Sequence, residues 1–162
     1  MRTIPLIAAC ATLTALALPA AAGEGMEPPI PDDLSGYRHV NSLVINDKDN
    51  PLFGFHHFYA DAAAMKGLKG RGYADGATFV GTVYGLSDAD GPQINEGAGA
   101  AYTLMVRDTA AKETGGWRFA QYTAGGKLVE QDEKAKCFQC HTQVADQDYV
   151  FTTPLELRLP MP

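Results

Sequence analysis

Near the C-terminal end of the chain, Cys137-Phe138-Gln139-Cys140-His141 forms a C-x-x-C-H run. Two thiols separated by two residues reach the two vinyl positions of one porphyrin and form thioethers. The histidine that follows then lies under the iron as an axial ligand. The run therefore points to one covalently attached haem c, with Cys137, Cys140 and His141 binding the cofactor and His141 as metal ligand. A redox dithiol and half of a zinc site are the other readings of such a pair. Zinc would need two more Cys or His ligands at comparable spacing, which the sequence lacks. A thioredoxin-like pair would need a βαβ setting and gives no reason for the adjacent histidine.

The elements around the motif read as α+β. Pro31 to Tyr37 is expected to open a first helix, with Asp32 or Asp33 as N-cap. Phe53 to Tyr59 is short and aromatic and reads as a strand. Asp61 caps a short Ala-rich helix that ends near Gly70. Thr78 to Tyr84 is a strand, and Asp88 to Gly99 is a Gly/Asp-rich loop. Strands follow at Ala101 to Arg107 and Trp117 to Tyr122, divided by the turn Glu113-Thr114-Gly115-Gly116. Glu130 to Val144 is helical and carries the motif. The expected architecture is an antiparallel sheet of four to five strands with flanking helices, the C-terminal helix holding a single haem. Small class I cytochromes are mostly helical and carry the motif near the N-terminus, a plan that fits poorly.

Export is written at the start of the chain. Arg2 precedes an apolar run from Ile4 to Leu18, and Pro19-Ala20-Ala21-Ala22 offers a small-residue cleavage site. Residues 1–22 read as a secretory signal peptide, too short and unflanked for a membrane span, and imply a periplasmic protein. Ile7-Ala8-Ala9-Cys10 loosely matches a lipoprotein site, but the apolar stretch continues past Cys10. Cleavage after Ala22 would remove Cys10 and leave no cysteine for a disulfide beside a haem. One Arg and no acid leave with the signal, so the formal charge of −6 becomes −7. This acidic balance argues against nucleic acid and anionic membrane surfaces as partners. Residues 23–36, with Pro28, Pro29 and Pro31, read as a mobile leader, and residues 37–162 as a single domain of ordinary size.

A wider pattern resembles the cytochrome P460 family, which includes the cytochromes c-prime-beta. It is carried by Tyr37-Arg38, Gly54 to Asp61, Tyr73 to Val80, Met105-Val106-Arg107-Asp108 and Thr114 to Phe119. Cys137 to His141 and Asp148-Tyr149-Val150-Phe151 complete it in the expected order. The resemblance implies an antiparallel β fold, usually a homodimer, and a five-coordinate haem whose open face meets a small nitrogen-containing ligand. One branch oxidises hydroxylamine and the other binds nitric oxide; the redox partner protein stays unidentified.

The resemblance also names residues at the branch point. Hydroxylamine-oxidising members cross-link a lysine to the porphyrin edge. Lys69 is the better placed candidate here and Lys66 the other, although both also suit the solvated end of a helix. Oxidation further needs a distal proton acceptor. By resemblance Glu113 stands where one could sit, with Glu96 weaker, while Glu113 equally reads as an exposed turn acid. The nitric-oxide branch packs phenylalanines over the iron, and Phe55, Phe58 and Phe79 are the candidates to line that pocket. Alternation places Phe53, Phe55, His57 and Tyr59 on one face of their strand and His56 and Phe58 on the other. Asp148 and Arg118 are candidates to hydrogen-bond the axial histidine or the haem propionates. The alternative function is a six-coordinate electron shuttle, which would draw its sixth ligand from Met65, Met105, His39, His56 or His57.

Overall fold

The computed structural model describes residues 27–70, 72–87 and 91–153. The expected signal peptide over residues 1–22, the first part of the expected leader and residues 154–162 lie outside them. Five strands form one antiparallel sheet in sequential order: β1 (Arg38–Ile45), β2 (Gly54–Ala60), β3 (Thr78–Ser87), β4 (Asn95–Arg107) and β5 (Trp117–Thr123). Between β2 and β3 runs α1 (Ala62–Gly70), capped by the Asp61 carboxylate, which accepts from the Ala64 N–H at 2.7 Å. After β5 comes a helical run kinked at Val144. Its Lys134–Phe138 stretch is π-helical, Gln139–His141 is an α-helical turn (α2) and Thr142–Gln147 is 3-10. The α+β architecture expected from the sequence is thus present.

Period-two alternation sorts the sheet into two faces. On one, Ala60, Phe79, Met105 and Phe119 lie opposite one another across four strands, and Trp117 joins them. Against this cluster pack Met65 and Leu68 of α1, Val40 from a bulge in β1, and Cys137, Phe138 and Tyr149. Each large apolar side chain buried this way contributes about 1.5–3 kcal/mol. The other face buries Val80, Leu104, Ala120 and Tyr122 beneath Ile30, Leu34, Tyr37 and Leu128. The Tyr122 hydroxyl donates to the Pro28 carbonyl at 2.7 Å.

Four expectations need correction. Pro31 to Tyr37 forms no helix: the Asp33 carboxylate accepts from the Ser35 N–H and hydroxyl, a local turn that competes with helical bonding. The later part of the leader is seated on the sheet rather than loose. Residues 95–99, expected in a loop, pair irregularly with the end of β3, as at Leu86–Glu96 and Ser87–Asn95. The helical run starts at Lys134 rather than Glu130 and is only briefly α-helical.

Candidate functional site

The C-x-x-C-H run is anchored by acids just before it. The Asp132 carboxylate accepts from the backbone N–H groups of Lys134 and Ala135 at 2.9 and 3.1 Å, starting the helical run. The Glu133 carboxylate takes the Phe119 N–H at 2.9 Å and lies 3.5 Å from Arg118 Nη1. One acid thereby satisfies an outward-facing donor of edge strand β5 and ties the run to the core. Gln131 bridges Gln121 of β5 and Cys137 Sγ.

Cys137 is partly buried, Cys140 is exposed, and the two are not joined in a disulfide. Burial, with Glu133 and Cys140 nearby, pushes the Cys137 thiol up to about 11. The His141 ring packs against Phe119 and Phe151, with centroids 5.0 and 5.1 Å away. Its Nδ1–H donates to the Tyr149 carbonyl at 2.7 Å. A carbonyl can only accept, so this bond fixes the neutral tautomer and leaves the Nε2 lone pair for a metal. Burial holds the imidazole below the usual histidine range, and the Tyr149 bond only partly offsets it. Two free thiols, an imidazole with its outer nitrogen available and the half-exposed apolar ring of Phe151 suit a haem.

The remaining candidates fall in several places. Phe58 shares the motif's face, its ring over Gly81, where an added Cβ would come within 3.1 Å of it. Phe79 shares that face too, but is buried against Tyr73 and Trp117 in the core. Phe55 is on the opposite face, beside His57, and is not brought to the motif. Lys69 is exposed at the end of α1, lining a shallow cleft with Lys66, Met65, Gly36 and Arg38. Glu113 pairs with Lys134 at 3.1 Å, its side chain 82% exposed.

The histidines are dispersed as well. His57 Nε2 meets Glu96 at 2.5 Å and its Nδ1 shares the Ser42 hydroxyl with His39, all on the face away from the motif. His56 is buried on the motif face with Nε2 bonded to the Leu52 carbonyl. Met105 is buried in the core. Among the described residues no group of three metal-ligating side chains gathers, so a zinc reading of the cysteines lacks its further ligands.

Some contacts carry no short-range signal in the sequence. Neither Asp148 nor Arg118 touches His141: Arg118 serves Glu133, and the Tyr149 carbonyl takes the ring N–H. A backbone carbonyl has no side-chain signature. Glu133 was legible only as one of several acids.

Among curated proteins no relative is found. Residues 34–152, most of the chain and both the sheet and the C-x-x-C-H run, match the family described as Cytochrome P460. The chain belongs to the cytochrome P460 family, and its cofactor is a haem.

Proposed function

We propose that this protein is an exported monohaem cytochrome whose haem c is held by Cys137 and Cys140 and ligated by His141 Nε2. Its second axial position is open and takes a small nitrogen species, nitric oxide foremost. The observation that carries this reading is the Nδ1–H bond of His141 to the Tyr149 carbonyl, which presents a neutral Nε2 beside two free thiols. When bound, the haem supplies an iron that exchanges electrons and accepts a small ligand.

The protein's own residues decide which ligand. Phe58, partly buried on the motif face beside Gly81, is the aromatic best placed to make the pocket apolar, backed by Phe79 in the core. Apolar surroundings exclude water and anions, which would lose hydrogen bonds there, and admit an uncharged diatomic. An open position is supported by the other candidate ligands, each engaged elsewhere. His39 and His57 face the far side, His56 Nε2 serves Leu52, Met105 fills the core and Met65 packs against it from α1. Hydroxylamine oxidation would draw on Lys69 and Glu113. The exposure of both, and the Lys134 partner of Glu113, favour gas binding instead. Export to the periplasm by residues 1–22 and homodimer formation belong to the same reading.

The test is the visible spectrum of the ferrous protein before and after carbon monoxide, alongside Lys69→Arg. We expect an ordinary c-type Soret band that moves on adding the gas and is the same in the variant. A Soret far to the red that Lys69→Arg abolishes would make hydroxylamine oxidation the function. A six-coordinate spectrum indifferent to carbon monoxide would leave an electron shuttle.

A further inference from the structure

The segment after the motif departs from ordinary backbone geometry. Asp148 and Tyr149, at φ 57° and 64°, are consecutive non-glycine residues in the left-handed region. A bulky side chain such as Tyr rarely adopts it unless its surroundings impose it. Here three elements do so. Trp117, fully buried at the start of β5, donates its Nε1–H to the Asp148 carbonyl at 3.0 Å. Arg107, the last residue of β4, donates from Nη1 to the Asp148 carboxylate at 3.3 Å and to the Gly115 carbonyl at 3.1 Å. Its guanidinium lies 5.2 Å over the Trp117 ring. Its Nε is buried without a partner, so these contacts run through Nη1. Gly115, itself at φ 66°, makes room for Tyr149: a Cβ there would stand 2.4 Å from the tyrosine ring. The outcome is that the Tyr149 carbonyl meets His141 Nδ1–H at 2.7 Å.

We propose that Arg107, Asp148 and Trp117 are positioning residues for His141, holding the Tyr149 carbonyl on Nδ1–H and so fixing the direction and donor strength of Nε2. The inference rests on His141 as the iron ligand. A hydrogen bond on one ring nitrogen raises the basicity of the other, and outer partners of this kind tune a metal site through its ligand. An arginine–aspartate pair that served the fold alone would stabilise the chain and leave the iron's properties untouched.

The deciding experiment compares the iron–histidine stretching band of the ferrous haem-loaded protein, and its reduction potential, in wild type, Arg107→Met, Asp148→Gly and Asp148→Asn. Glycine accepts the left-handed backbone but lacks the carboxylate. Asparagine also tolerates that backbone and keeps an acceptor oxygen for Arg107. The band is expected at lower frequency, and the potential higher, in Arg107→Met and Asp148→Gly, with Asp148→Asn close to wild type. Circular dichroism and urea midpoints are taken beside each. If Arg107→Met does not load haem, the two Asp148 variants decide between them. Variants that lose stability while band and potential stay put would overturn the proposal and leave the network a structural support. A five-coordinate ferrous wild-type haem without an iron–histidine band would overturn the ligation by His141, and this inference with it.

Discussion

Glu113 and Lys134 meet on the surface, with side chains 82% and 59% exposed. An ion pair that open to water is worth about 0–1 kcal/mol. Glu113→Gln should therefore change the unfolding free energy, read from urea melts, by no more than about 1 kcal/mol and, on the proposed gas-binding reading, leave the affinity for nitric oxide unchanged. A clear change in ligand affinity would return Glu113 to the pocket and reopen the oxidative reading. The contrast with Cys137, Cys140 and His141 shows what single residues can declare. Their chemistry depends on local spacing, which sequence records directly. A role for Glu113 depends on what surrounds its carboxylate, and Lys134 lies 21 positions away. The Arg107–Asp148 contact is harder still, spanning 41 positions and relying on a left-handed Tyr149 that nothing in its residue type announces.

Among the elements, α1 offers a test in which helix propensity and packing disagree. Gly67 sits inside the helix, where glycine ordinarily costs about 0.5–1 kcal/mol relative to alanine, so Gly67→Ala would be expected to stabilise. In this fold the added Cβ would stand 2.0 Å from the Tyr73 ring, itself packed against Phe79 and Trp117. The substitution should instead destabilise by about 1–3 kcal/mol as that aromatic cluster is forced apart, read as a lower melting temperature. A variant as stable as wild type would mean that Tyr73 yields freely. The α1 helix and β2, β3 and β5 were legible because each carries its own cap, period or aromatic run. β1 went unread because its alternation is broken by the bulge between His39 and Asn41, which turns Val40 into the core. The start of β4 was hidden by its glycines: residues 95–99 have little side-chain pattern and pair because β3 lies alongside. The Asx turn at Asp33 imitated a helix cap, and the Tyr37 ring it delivers packs on the sheet.

Across the whole molecule, β2 joins the two faces of the sheet, sending His56 to the motif side and His57 to the other. Only 2% of His56 is exposed, and the protein there favours the neutral ring. Burial holds its imidazole below the usual value of 6.5, charge on the neighbouring His57 lowers it further, and the bond to the Leu52 carbonyl opposes both without cancelling them. The unfolded chain therefore binds a proton that the folded chain refuses in the window below about 6.5. Stability from this group is fully present above that pH and is lost as pH falls through the window. One such site contributes a slope of at most about 1.4 kcal/mol per pH unit. His56→Gln keeps an N–H donor for Leu52 and cannot take up the proton. Urea midpoints of the haem-loaded protein and this variant, followed from pH 8 to pH 5, should diverge on acidification, wild type falling more steeply. Comparing the two cancels the carboxylates and His141 common to both, so the divergence belongs to His56. Parallel curves would mean that a protonated His56 is accommodated, with the Leu52 carbonyl compensating for its burial.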